Sequence, residues 1–290
     1  MKSTHHKLMI AAIAAVIISF ASACKKDSNN TDNTKPDEPT TVTGVKLTQN
    51  ATFGNIITDS KGRSLYFFAI DADGNSNCNG QCAVVWPVFY KENPEMGTGL
   101  NAADFAVITR TDGSKQTTYK GWPLYYYQSD SQANDVKGDK VGNTWFVAKA
   151  DYTVMLANKQ LVGHDGVNYN GQSQPATEVT QYITDANGQT LYDFAPDKFK
   201  KNNFTKPDFS NNAVWPIYEV ATVGSIPSIL DKTQFDVIDV FGKSQLVYKG
   251  HPLYHFGTDA GVRGNTKGVS FPTPGVWKIT NSTTVDAPAN

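Results

Sequence analysis

Charge is what this chain has least of. Its 26 basic and 27 acidic residues make up 18% of 290 positions, below the ~25% usual in globular domains. They cancel to a net charge of −1. No basic stripe gathers along the chain, which argues against nucleic acid as a partner. Asn, Thr, Gln and Ser supply the polarity instead, which suits a secreted β-protein. Long apolar runs are missing too. The one candidate, LMIAAIAAVIISFASA from Leu8 to Ala23, falls short of the ~20 residues a spanning helix needs. No long stretch repeats its apolar residues at the helical period. Neither a phosphate-binding loop nor a dinucleotide fingerprint occurs, and no Ser or Cys sits in a recognisable nucleophile setting. Cysteine is limited to Cys24, Cys78 and Cys82.

What is present begins with the leading end. MKSTHHK places Lys2 and Lys7 ahead of the apolar run, and small residues lead from it to Cys24. A short basic start, an apolar core and a small-residue cut site describe a signal peptide over residues 1–23 rather than a retained anchor helix. Ala21-Ser22-Ala23-Cys24 resembles a bacterial lipobox, with Ala where a larger aliphatic residue is usual three positions before the Cys. That resemblance implies a lipoprotein: cleavage before Cys24, then acylation of Cys24, palmitate included, which holds the chain firmly at a membrane. Residues 24–44 complete a tether. KKDSNNTDNTKPDEPTTVTG contains no aromatic residue and two prolines, so it buries too little apolar surface to offset chain entropy. Twenty flexible residues reach roughly 25 Å. The expected location is the bacterial cell envelope, exported and anchored through lipid.

The rest of the chain repeats itself. GRSLYFFAID, GWPLYYYQSD, GQTLYDFAPD and GHPLYHFGTD share Gly, Leu-Tyr, an aromatic two residues on, and a closing Asp. The fixed pairs are Tyr66 and Asp71, Tyr125 and Asp130, Tyr192 and Asp197, Tyr254 and Asp259. The strings pair at offsets of 126 and 129 residues, and Trp86 answers Trp215 as Trp145 answers Trp277. The chain is therefore a tandem duplication, each unit holding two half-repeats. The expected divisions are a first unit at 45–158, an inter-repeat loop at 159–178, a second unit at 179–285 and a tail at 286–290. Asp-x-x-Gly, Asn-Gly and Lys-Gly between β-rich runs are hairpin signals. They predict an all-β protein: two antiparallel units with pseudo-two-fold symmetry, built from four hairpin half-repeats. A small propeller-like arrangement of the four is the alternative. Short helical turns are expected only near Asn79 to Val85 and Ser225 to Lys232.

The Tyr-x4-Asp strings, the segment CNGQCAVVWP and the tandem layout resemble the bacterial secreted-repeat lipoproteins. The resemblance spans nearly all of residues 45 to 280 and implies no activity. The second unit departs from it in lacking the Cys pair.

Repetition sorts fold from function. On a strand, each Tyr and the aromatic two residues on share a face. That predicts a buried set of Tyr66, Phe68, Tyr125, Tyr127, Tyr192, Phe194, Tyr254 and Phe256. The four Asp residues recur, so they are expected to close turns by accepting backbone N–H bonds rather than to catalyse. Unrepeated features are the candidates for function. Trp122 aligns with Arg63, Gln189 and His251, and is expected to be exposed. Tyr126 points away from the core face, and His164 stands in a polar loop, Gly163 to Gln174. Asp71, Asp73, Asn75 and Asn77 alternate as in a calcium loop, but Gly74 and Cys82 fall where such a loop needs other residues. A partial calcium site or an Asx-rich turn follows, and no other cofactor is expected. Cys78 and Cys82, in an exported chain, should form a local disulfide. His251 and His255 would lie roughly 13 Å apart on one strand face, too far to share a metal. No reaction is legible, so the leading expectation is a binding or interaction module for an unknown protein or small-molecule ligand. The alternatives are an accessory to envelope redox, haem or metal chemistry, and then a hydrolase.

Overall fold

The computed structural model describes residues 43–290. The expected signal peptide, Cys24 and nearly all of the expected tether lie outside the described residues. Among the described residues no helix is long and apolar enough to cross a membrane.

The first unit opens with the hairpin β1 (Gly44–Asn50) and β2 (Gly54–Asp59). Asp59 to Gly62 turns the chain into β3 (Tyr66–Phe68), with Thr58 bridging Ser64. After the short helix α1 (Gln81–Val85) and β4 (Glu95–Met96), β5 (Phe105–Thr109), β6 (Lys115–Tyr119) and β7 (Trp122–Pro123) form a meander. β8 (Trp145–Val147) returns to pair with β3. Among the described residues β4 alone pairs parallel, against β1, all other strand pairs are antiparallel, and no barrel closes.

The second unit repeats this order. β9 (Val154–Val162) pairs with β11 (Val179–Asp185) as β1 does with β2, and β10 (Asn168–Tyr169) lies in the connection between them. β12 (Tyr192–Phe194) pairs with β16 (Trp277–Ile279) as β3 does with β8. β13 (Phe235–Val240), β14 (Lys243–Tyr248) and β15 (His251–Tyr254) repeat the meander. The expected boundary therefore moves. Residues 159–162 are strand, and the stretch expected as an inter-repeat loop is the long connection of the second unit's first hairpin. Of the two expected helical turns, the first is α1. Ser225 to Lys232 instead forms turns that lead into a 3-10 turn at Lys232–Gln234.

Local chemistry accounts for the tight turns. Lys120 and Gly121 have φ of 47° and 76°, and Lys249 and Gly250 have 49° and 80°. Two successive positive φ angles are what a two-residue hairpin turn needs, and Gly meets the second at no steric cost. Pairing within each unit is two by two. Tyr66 and Tyr125 exchange backbone hydrogen bonds at 2.8 and 2.9 Å, and Tyr192 faces Tyr254. Val147 flanks Tyr66 and Val88 flanks Tyr125, so the two half-repeats are related by a local two-fold. One large core cluster runs through both units, from Phe67 and Trp122 to Trp215 and Trp277.

Candidate functional site

The repeated acids are bound across the local two-fold. Tyr66 donates to Asp130 at 2.6 Å, and Tyr125 donates to Asp71 at 2.6 Å. Tyr192 donates to Asp259 at 2.6 Å, and Tyr254 to Asp197 at 2.7 Å. Each string thus supplies the phenol for its partner's acid. The reason is pairing: β3 ends at Phe68 and a 3-10 turn carries Asp71 beyond it, while Tyr125 is hydrogen-bonded directly opposite Tyr66. Each Asp also accepts a backbone N–H from the loop that follows it: Asp71 from Asn77, Asp130 from Lys137, Asp197 from Asn203 and Asp259 from Lys267. Burial pushes Asp71 up to about 7 and Asp197 and Asp259 up to about 6, and raises Asp130 as well. All four carboxyl groups are engaged in closing loops.

The fixed aromatics build two stacks of four rings. Phe68, Trp145, Trp86 and Tyr127 follow one another with centroids 4.0, 3.8 and 4.3 Å apart. Phe194, Trp277, Trp215 and Phe256 do the same at 4.5, 3.7 and 4.3 Å. The motif tyrosines meet the tryptophans edge to face, as Tyr125 does Trp145 at 5.1 Å. Gly138 and Gly268 complete each box. Their N–H groups donate to the Tyr66 and Tyr192 oxygens. A Cβ at Gly268 would lie 2.7 Å from Tyr192 and 2.8 Å from Trp215, so no side chain fits there. Of the eight aromatics expected inside, six are buried. Tyr127 and Phe194, each at one end of a stack, are only half-buried.

The candidates Trp122, Tyr126 and His164 are not brought together. Trp122 is the clearest correction: it is 1% exposed, not a surface residue. It packs on Phe67 at 5.3 Å and donates through Nε1 to the Ala186 carbonyl at 3.1 Å, across the seam between the units. Arg263 covers its other side, 4.5 Å from the ring centroid, and donates to the carbonyls of Lys120 and Asn187. Tyr126 is half-buried under Arg63, whose guanidinium lies 4.0 Å from the ring centroid, and its hydroxyl donates to Asp59 at 2.9 Å. His164 is exposed, edge-on to Phe271. In the Asx loop, Asp71 is taken up by Tyr125 and Asn77, while Asp73 pairs with Lys159 at 3.2 Å. Asn75 and Asn77 use their amides within the loop. Among the described residues no cluster of three or more His, Cys, Asp or Glu side chains is placed to hold a metal. Cys78 and Cys82 are joined at 2.02 Å. Arg110 pins their loop by donating to the Cys78 carbonyl and to Asn79.

The strongest site was not among the candidates. Where the first unit has the apolar pair Phe67 and Trp122, the second has Asp193 and His251. His251, expected at or near the surface, is buried. Its Nε2 contacts the Val285 carbonyl at 3.0 Å and must donate to it, so Nδ1 carries the lone pair when the ring is neutral. Nδ1 lies 3.8 Å from Asp193 Oδ1, too far for a hydrogen bond, and neither atom has another partner. Burial pushes Asp193 up to about 7 and lowers His251. Burial thus disfavours the charged form of both groups, and the 3.8 Å separation is not that of a hydrogen-bonded ion pair. It forms the inner wall of a cleft of about 250 Å³, whose other walls include Gln172, Lys278, Asn281, Thr283 and Thr284. Such walls offer uncharged donors and acceptors, with one cation at the rim. The signal for this site was in the strings: Asp193 and His251 are the two places where an apolar pair of the first unit turns polar.

No curated protein and no solved structure matches the chain. A family described as a secreted repeat of unknown function matches residues 47–90 and 106–149. The two stretches are spaced as the half-repeats are, one holding Tyr66 and Trp86, the other Tyr125 and Trp145. The chain thus carries two tandem stretches that match this repeat, which its family describes as secreted, and the described residues are mainly antiparallel β structure.

Proposed function

We propose that this protein is a non-catalytic binding module, held at the envelope membrane through Cys24, that takes a small uncharged polar ligand into the second unit's cleft. The observation that carries this reading is the buried Asp193–His251 pair with an unpartnered oxygen and nitrogen at the cleft wall. Buried polar groups are almost always paired, so two orphans beside a cleft mark a place where a ligand's hydroxyl or amide groups complete the set. The four motif acids support the absence of catalysis, since each is occupied by a phenol and a backbone N–H. The anchor rests on the lipobox-like run before Cys24.

Two measurements test this. Thermal shift against a panel of monosaccharides, polyols and short amides should find a member that raises the melting temperature. A ligand at a hundred times its Kd adds about 2.7 kcal/mol, and Asp193→Leu should lose that gain. A panel without effect, or an undiminished shift in Asp193→Leu, removes the cleft from consideration. Separately, Cys24→Ser should move the protein from the membrane fraction to the soluble one. A variant that stays with the membranes would point to an uncleaved leader instead.

A further inference from the structure

The two aromatic stacks differ at one end. Tyr127 terminates the first and is half-buried, on the wall of a surface cleft of about 160 Å³ that also exposes Arg63 and Gln128. Its equivalent in the second unit is Phe256, buried. Tyr and Trp lose an electron far more readily than Phe, so only the first stack joins oxidisable rings to solvent. From Tyr127 the rings run to Trp86 at 4.3 Å and Trp145 at 3.8 Å, and Trp145 meets Tyr125 at 5.1 Å. Every gap is a van der Waals contact between π systems.

The end of this path is equipped to hold a radical. Tyr125 is wholly buried, and its hydroxyl donates to Asp71 Oδ2 at 2.6 Å. Asp71 Oδ1 is fixed by the N–H and the side-chain amide of Asn77, which leaves Oδ2 to receive a proton. The Tyr125 oxygen also lies 2.7 Å from Ser76 Oγ. Arg110, which can only donate, contacts the same Ser76 oxygen, so the Ser76 hydroxyl is free to donate to Tyr125. The second unit has Val240 in place of Arg110 and no such donor relay.

We propose that the first unit accepts an oxidising equivalent at Tyr127 and stores it as a neutral tyrosyl radical on Tyr125, with the phenol proton held by Asp71. A one-electron oxidant of the peroxyl-radical or metal(III)-complex class takes one electron from Tyr127 and is reduced by one. The vacancy passes through Trp86 and Trp145, and Tyr125 gives up the electron that fills it. The Tyr125 O–H bond breaks, the proton forms a bond to the ionised Asp71 at Oδ2, and the pair goes from a charge of −1 to neutral as its electron leaves. Reduction reverses both steps: the electron returns to Tyr125 and the proton returns to its oxygen from Asp71 Oδ2 across the 2.6 Å hydrogen bond. This activity is independent of the cleft in the second unit.

The test is photochemical oxidation of the full-length protein by a ruthenium(III) polypyridyl complex, with transient absorption and electron paramagnetic resonance as readouts. A tryptophan radical should decay into a tyrosyl radical. Tyr127→Phe, which copies the second unit and keeps the ring, should slow that formation at least tenfold. Tyr125→Phe should remove most of the tyrosyl signal, and Tyr254→Phe should leave it intact. An unchanged rate in Tyr127→Phe overturns the proposed access point. A signal that survives Tyr125→Phe, whether it sits on Tyr66 or on the exposed Tyr90, overturns the storage site. Should Tyr125→Phe not fold, the Tyr127→Phe rate still decides the path.

Discussion

Trp277→Ala is expected to destabilise the protein by about 3–5 kcal/mol, the range for removing a buried aromatic side chain. The ring is 2% exposed. It stacks on Trp215 at 3.7 Å and on Phe194 at 4.5 Å, and it meets Phe204 and Tyr254 edge-on at 4.8 and 5.1 Å. Four aromatic neighbours cannot collapse into the space left behind, because each is held by its own strand or loop. The loss is a large share of the ~5–15 kcal/mol that keeps a domain folded. Urea denaturation monitored by circular dichroism should show a much lower midpoint. Tyr90→Ala, at a side chain 43% exposed, is the control and should move it little. Equal midpoints for the two variants would show that the stack is not an energetic core.

The second large effect concerns the exchanged acids. Asp197→Ala leaves the buried Tyr254 hydroxyl without an acceptor, while the N–H of the exposed Asn203 can turn to water. The orphaned hydroxyl costs about 1–3 kcal/mol. Tyr254→Phe should be milder, since Asp197 keeps its N–H donor. In the double variant the hydroxyl is no longer stranded, so the two effects should fall short of their sum by at least ~1 kcal/mol. Additive effects would mean that the pair contributes nothing as a pair.

The same measurement has a pH arm. Burial raises Asp197 from its ordinary 3.8 to about 6, with Asp259 alike, and raises Asp71 and Asp193 to about 7. A raised acid contributes stability that is fully present below its unfolded value, and that stability is lost as pH rises through the folded one. Buried His251 and His255, both lowered, act in the opposite sense: their contribution is present above 6.5 and fades as pH falls. Four acids outweigh two imidazoles, so the melting temperature should fall between pH 5 and pH 8. Asp197→Ala should flatten part of that slope. A melting temperature that climbs from pH 5 to pH 8 would show that the phenol and N–H donors hold these carboxylates ionised despite their burial.

Repetition in the sequence was enough to determine the two units, the hairpins at Asp59–Gly62 and Lys120–Gly121, the inward face of Tyr66 and Tyr125, and the fold class. These are local matters: strand period, turn chemistry and the spacing of apolar side chains act over a few residues, and four copies make them legible. The beginning of the second unit was not legible. Nothing in the pattern says that Val154–Val162 pairs across a long connection rather than ending the unit before it. The fate of Trp122 was decided only by assembly. It occupies the same string position as Arg63, whose side chain stays half-exposed, but its own turn faces Ala186 and Arg263 of the second unit. The partner of each Asp was likewise hidden. The Tyr nearest in sequence lies on the strand before the turn that carries the Asp, while antiparallel pairing across the local two-fold brings the other string's Tyr within 2.7 Å. Asp193 and His251 show the same division. The chain displays them as polar residues in otherwise apolar positions, and only the tertiary structure sets them 3.8 Å apart at a cleft wall, because contacts between distant strands are fixed by packing that no short stretch contains.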